Sequence, residues 1–187
     1  MEKLRALQCD NFFENPNLIR ECALAQQYRG PRDDENWIGL RTERFEAEIG
    51  GVDIDDYINE KIQTWLPAIP ELELICVFHQ LPERVRGDMG DRFDYLQSHT
   101  DSDTVHFAGV IYLSPNPPEN SGTSFFADVN TKMAEIENVY NRFIFYPSDI
   151  LHGPTNPFGE TNEDSRLTLT FFAFIKDKSK IGNSKNT

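Results

Sequence analysis

From Leu72 onward the chain is a succession of short β-rich runs, and this succession limits the fold more than any other feature. In order they read ELELICVFHQL, DRFDYLQSHTD, VHFAGVIYLSP, GTSFFADV, NRFIFYP and RLTLTFFAFIK. Short strands at fairly regular spacing, broken by Gly, Pro and Asn, are the pattern of a β-sandwich or jelly roll. A Gly-containing turn, RGDMGD, separates the first two runs, and the spacing predicts a hairpin between them. The stretch NTKMAEIENVYN, positions 130–141, reads equally as a short helix or a loop insertion.

Upstream of about residue 70 the periodicity is helical. In NPNLIRECALAQQYRG, Asn15 is placed to cap and Pro16 suits a first helical turn. Leu18, Cys22 and Ala25 recur at helical spacing, and Gly30 is the expected stop. In DIDDYINEKIQTWLP, Asp53 is the expected cap. Ile54, Tyr57, Ile58, Ile62 and Trp65 form one core-facing stripe that ends near Pro67. The 187 residues are enough for one domain with a proper core. The expected layout is helical support over about 1–70, a strand core over about 71–176 and a polar tail, KDKSKIGNSKNT.

Charge and cysteines narrow the setting. With 18 Lys and Arg against 31 Asp and Glu, the formal net charge is −13. Such a surface repels phosphate backbones, and no basic run offsets it, so nucleic acid is not an expected partner. No apolar run approaches the ~20 residues of a membrane helix. The start, MEKLRALQCDNFF, has no apolar stretch of the signal type. Cys9, Cys22 and Cys76 form no C-x-x-C pair and read as free thiols of a reducing compartment. A cytoplasmic protein with no membrane partner is expected.

The chemistry centres on the four histidines, His79, His99, His106 and His152. On a strand, residues i and i+2 share a side, so His99 and Asp101 would present an imidazole and a carboxylate together. Two such groups can chelate a metal but cannot complete a site. His152, just past NRFIFYP and its PSD turn, is the best third ligand. Two histidines and a carboxylate leave one face of an ion open, as in non-haem Fe(II) oxygenases. The same pair also fits a structural His–Asp hydrogen bond. His106 and His79 read as packed or hydrogen-bonded strand residues, and Asp103 as a supporting partner or a solvated acid.

RLTLTFFAFI adds a second element. Arg166, Thr168, Thr170 and Phe172 fall on one side of that strand, and Leu167, Leu169, Phe171 and Ala173 on the other. An arginine opening a buried strand needs an anionic partner, because an unpaired buried charge is costly. That partner is either an acid of the protein or a carboxylate of a ligand, which a guanidinium fork holds in two-point contact.

Taken in order, His99-x-Asp101, the strand ending in Tyr112-Leu113-Ser114, GTSFF, FIFYPSDILHGP and RLTLTFF resemble the 2-oxoglutarate- and Fe(II)-dependent dioxygenases, in particular their prolyl-hydroxylase-like branch. The motif match covers residues 95–175, and DNFFENPNLIRECALAQQYRG is similar to uncharacterised bacterial and phage members. The resemblance implies a mainly β double-stranded β-helix, a cupin-like jelly roll with supporting N-terminal helices. It implies His99, Asp101 and His152 as iron ligands, and Arg166 on the distal carboxylate of 2-oxoglutarate. Tyr112 would add a hydrogen bond to that carboxylate, and Thr168 would stand beside it. Fe(II), 2-oxoglutarate and O2 are the implied cofactors and cosubstrates, with ascorbate as a stimulant.

The implied reaction is hydroxylation of a small-molecule or peptide substrate with release of succinate and CO2. Phe125, Phe126, Phe143, Phe145 and Phe172 are candidates for an apolar wall and equally for core. The chain departs from the branch in a longer His152–Arg166 spacing, filled by FGETNEDS. It also has Arg166 where collagen-type enzymes carry lysine, and a single glycine in Ser121-Gly122-Thr123. These departures bear on prolyl specificity rather than on the triad. The rival readings are a cupin-like metalloprotein not using 2-oxoglutarate, against which the missing H-x-H counts, and a non-catalytic jelly-roll binding module.

Overall fold

The computed structural model describes residues 5–35, 37–44, 48–89, 98–101 and 103–176. In chain order the elements are β1 (Leu7–Cys9), α1 (Pro16–Leu24), β2 (Leu40–Arg41), β3 (Glu48–Ile49), β4 (Val52–Asp53), α2 (Ile54–Trp65), β5 (Leu72–Leu81), α3 (Arg84–Met89), β6 (Phe107–Tyr112), β7 (Thr123–Asp128), β8 (Thr131–Ile136), β9 (Phe143–Pro147), β10 (His152–Pro154) and β11 (Arg166–Ile175). A six-stranded sheet runs β1-β9-β6-β11-β5-β2, and a three-stranded sheet runs β10-β7-β8. All their pairings are antiparallel. The two sheets form the jelly roll, and α1 and α2 pack on the outer face of the larger one. Among the described residues no helix is long and apolar enough to cross a membrane.

Strand β11 shows why the layers form. It pairs along its whole length with β5, from Arg166↔Leu81 to Ile175↔Leu72, and on its other side with β6. Alternation then sends Leu167, Leu169, Phe171 and Ala173 to one face, where they join the main core with Ile19 and Ala23 of α1 and Ile54, Ile58 and Ile62 of α2. Each such isoleucine removes enough apolar surface from water to be worth ~2 kcal/mol. Phe171 stacks against both Phe143 and Phe145, with centroids 5.7 and 6.2 Å away. That packing requires Gly109 opposite, since a Cβ there would run into the Phe171 ring and lie 2.6 Å from the Ile144 carbonyl oxygen.

The other face of the large sheet, with Ala108, Val110, Tyr112, Ile144 and Tyr146, meets Phe125 of β7 in a second cluster between the sheets. The sandwich interior is therefore split. Its apolar part is packed, and the part near Arg166 and His152 is left for polar groups.

Helix α2 follows the sequence closely. The Asp53 carboxylate accepts from the Asp56 N–H at 2.9 Å, and Leu66 closes the helix before Pro67. Helix α1 departs from expectation. It stops at Leu24, well short of Gly30, and the Asn15 side chain makes no capping bond. Its fully buried residues are Ile19 and Ala23, while Leu18 and Cys22 pack only at the margin of the core and Ala25 is exposed. The carbonyl of Glu21 is taken by the Ala25 N–H, which ends the helix without a glycine.

Two loop expectations also change. RGDMGD begins inside α3 rather than in a turn. The partner expected for the β5 hairpin, at 91–97, lies outside the described residues, as does the polar tail beyond Lys176. The stretch 130–141 contains neither a helix nor a bare loop: Thr131–Ile136 is strand β8, paired with β7 through a bulge. It escaped notice because its residues are exposed or half-buried, so no apolar alternation is written into it.

Candidate metal centre

Residues 98–101 do not form a regular strand. They are fastened to the segment after β9, which supplies the third side chain. The His99 N–H donates to the His152 carbonyl at 3.0 Å, and the His152 N–H returns the bond at 2.9 Å. Asp101 N–H donates to the Ser148 carbonyl at 3.2 Å, and Ser148 N–H to the His106 carbonyl at 3.2 Å. The Ser148 hydroxyl donates to the Val105 carbonyl. This lacing brings one ligand atom each from His99, Asp101 and His152 within 4.8 Å of one another.

The donor atoms are set for a cation. His152 Nδ1 lies 2.8 Å from the Ile150 carbonyl oxygen, which only accepts, so Nδ1 carries the proton and Nε2 keeps its lone pair. Burial holds the His152 imidazole down to about 4, so the ring is neutral near pH 7. Its Nε2 stands 3.7 Å from Asp101 Oδ2. Both atoms are acceptors, and Oδ2 is buried with no hydrogen-bond partner among the described residues. Burial also raises the Asp101 carboxyl, while His99 and then Arg41 pull it back. Two buried acceptors facing each other repel unless a cation stands between them, and an orphaned carboxylate oxygen is costly. The donor set of two imidazoles and one carboxylate fits Fe(II). The His152 ring is steadied by Tyr146, centroids 4.7 Å apart.

The triad opens into a cavity with an open mouth, lined also by Trp37, His79, Val110, Tyr146 and Phe172. Arg166 lines it and is only 3% exposed. Its Nε donates to the Ser121 carbonyl at 3.0 Å and its Nη2 to the Gly122 carbonyl at 3.2 Å. The guanidinium carbon sits 5.6 Å from the centroid of the Tyr112 ring. Burial lowers its pKa, and the nearby Tyr112 and Tyr146 oppose that shift. No carboxylate lies within ion-pairing distance of it among the described residues. Among the described residues, then, its polar partners are the two carbonyls rather than an acid.

The other expected residues take different places. Tyr112 is fully buried behind the cavity wall, its hydroxyl bonded to Thr123 Oγ1 at 2.7 Å, and Thr123 lines the cavity instead. Thr168 is buried with its Oγ1 3.2 Å from that of Thr170, and Thr170 forms the wall. Of the five phenylalanines, Phe172 lines the cavity. Phe125 packs in the cluster between the sheets, Phe143 and Phe145 lie in the main core, and Phe126 is half-buried on β7. His106 is exposed just ahead of β6, its Nδ1 accepting from the Ile175 N–H at 3.3 Å, and Asp103 is exposed.

His79 is buried as expected but also lines the cavity, its Nε2 2.6 Å from the Ile38 carbonyl. Gly39, at φ +88°, lets that loop approach, for a Cβ there would lie 2.6 Å from His79 Nε2. Burial keeps the His79 ring neutral, and the adjacent Arg41 and Arg166 add to that. Trp37 and Arg41, also on the wall, were not anticipated. Their sequence context, WIGLRTE, carries no signal until β2 pairs Arg41 with His79.

No family model and no curated protein matches the chain. Solved structures do. A Pseudomonas putida prolyl-4-hydroxylase superposes with a TM-score of 0.63 at 18% identity, covering 94% of this chain and 95% of that one. A Trichoplax adhaerens prolyl hydroxylase in complex with a hypoxia inducible factor peptide fragment gives 0.57 at 11% identity, covering 96% and 87%. The non-haem α-ketoglutarate-dependent epimerase of nogalamycin biosynthesis, SnoN, gives 0.58 at 11%, covering 91% and 76%. The chain thus has the fold of the 2-oxoglutarate- and Fe(II)-dependent oxygenases, with the prolyl-hydroxylase-like branch among its neighbours. At these identities the likeness is one of fold, and those neighbours include an epimerase as well as hydroxylases.

Proposed function

We propose that this protein is a 2-oxoglutarate- and Fe(II)-dependent oxygenase that hydroxylates a small-molecule or peptide substrate. One observation carries the reading: a buried, orphaned Asp101 oxygen faces the His152 lone pair in the same cavity as a buried Arg166 that has no acidic partner among the described residues. His99, Asp101 and His152 would hold the metal. With 2-oxoglutarate bound, the metal supplies oxidation of a substrate C–H bond by O2, with release of succinate and CO2.

The chain's own residues bind, orient and exclude water. Arg166 binds the distal carboxylate of the cosubstrate, and its plane is fixed by the Ser121 and Gly122 carbonyls, which is positioning in advance of binding. Tyr112 supports that guanidinium from behind, held by Thr123, and Thr168 backs the wall that Thr170 completes. Tyr146, Val110, Ala108 and Phe172 form the apolar wall that keeps water from the reacting centre. A cytoplasmic setting without nucleic-acid partners accords with the net charge of −13 and the free thiols Cys9, Cys22 and Cys76.

The test is succinate formation from 2-oxoglutarate in the presence of Fe(II), ascorbate and O2. Slow succinate production without added substrate is expected, faster with the right one. No succinate, no metal binding and no 2-oxoglutarate binding together would overturn the assignment in favour of a jelly-roll binding module.

A further inference from the structure

Arg41 is a second cation on the cavity wall, set apart from Arg166 along the sheet. It lies on β2, paired with His79 of β5, while Arg166 on β11 is paired with Leu81 of the same strand. One strand therefore separates them laterally and two residues along its axis, which places their backbones ~12 Å apart. The Arg41 guanidinium carbon is 4.8 Å from the centroid of the Trp37 ring and 5.7 Å from that of Phe172. Its Nε is buried and has no hydrogen-bond partner among the described residues.

Among the described residues, the acids that act on it are engaged elsewhere. Glu35 is gripped through both oxygens by Arg29, at 2.5 and 2.8 Å. Asp101, the remaining acid that acts on Arg41, is a ligand in the proposed metal site. Burial brings the Arg41 pKa down to about 10, so it still carries its charge near neutrality.

An arginine aligned by two aromatic rings, short of partners among the described residues and opening on the cavity that holds the metal triad is built to receive an oxyanion. The cosubstrate's distal carboxylate is assigned to Arg166, so Arg41 is left for the molecule that is oxidised. We infer that Arg41 is the specificity-determining anchor for a carboxylate on the primary substrate. A single guanidinium among Trp37, Phe172, Val110 and Pro154 suits one carboxylate on a compact apolar body better than a doubly charged phosphate, which would call for more donors. This inference rests on the oxygenase reading above. The carboxylate has two possible sources, a free amino or organic acid and an acidic side chain of a peptide.

Both sources are tested on protein loaded with Mn(II) and saturating 2-oxoglutarate, so that Arg166 is already occupied. Mn(II) and 2-oxoglutarate binding are measured first by calorimetry, and their failure strikes the oxygenase reading itself. The loaded protein is then titrated with L-proline against L-prolinamide, and with Ac-Gly-Glu-Pro-Gly-NH2 against its Gln counterpart. In at least one pair the carboxylate member is expected to bind about tenfold tighter or more. Arg41→Gln should erase that preference and Arg41→Lys should retain part of it, with thermal unfolding used to confirm that both fold. The discriminating pair identifies the source. Equal or absent binding within both pairs on competent loaded protein, or a preference that persists in Arg41→Gln, overturns the inference and leaves the metal site standing.

Discussion

Asp101 and Arg166 are each costly to a protein that binds nothing. A buried carboxylate oxygen without a donor loses about 1–3 kcal/mol, and a buried cation lacking a counter-charge loses more. The two costs converge on one cavity, and each is relieved by a different part of the same complex: a metal for Asp101, a carboxylate for Arg166. Removing Arg166 should therefore leave the metal ligands in place. In calorimetry, Arg166→Ala is expected to bind Mn(II) while its 2-oxoglutarate affinity falls at least ~30-fold. Unchanged 2-oxoglutarate affinity would move the cosubstrate elsewhere. At this scale His-x-Asp and Arg166 could be picked out from the sequence because their types are rare and their spacing is local. Arg41 could not, since its role comes from pairing with His79, 38 positions away. Tyr112 lies behind the cavity wall, bonded to Thr123, which lines it.

At the scale of elements, the regular parts were legible wherever one face is buried. RLTLTFFAFI alternates because β11 is covered on both sides by unlike layers, and DIDDYINEKIQTW repeats at helical spacing because α2 presents Ile54, Ile58 and Ile62 to the core. Strand β8 and helix α3 were missed for the converse reason, as they bury little and carry no strong pattern. The 98–101 segment reads as a strand, and it does use strand hydrogen bonds, through one bridge to His152 and one bond from Asp101 to Ser148. The rigidity of the site therefore depends on β6 and β9, to which that segment and Ser148 are tied. Gly109 lies where β6 crosses both β11 and β9. Gly109→Ala should push Phe171 out of its stack and lower stability by ~2 kcal/mol in denaturant unfolding. A fully neutral result would mean that Phe171 is free to move, contrary to the packing.

For the molecule as a whole, the layers allot the tasks. The outer face of the large sheet, filled by Phe143, Phe171 and the isoleucines of α2, supplies the stability. The inner face, only partly packed against Phe125, is left hollow enough to hold two arginines, two buried histidines and the triad's carboxylate in one space. The acid excess sets the sign of the surface, whereas the cavity interior is cationic at Arg41 and Arg166. That inversion favours an anionic cosubstrate inside a protein that repels polyanions outside. The composition accounts for the outer charge; the inner one depends on residues 125 positions apart being placed on either side of β5.

The most direct measurement of the central claim is anaerobic calorimetric titration of Fe(II) into the metal-free protein and into Asp101→Ala. Wild type is expected to bind a single ion per chain and to gain thermal stability from it. Asp101→Ala is expected to lose affinity at least ~100-fold while keeping its fold. Fe(II) bound as tightly by Asp101→Ala as by the parent would contradict the account at its centre.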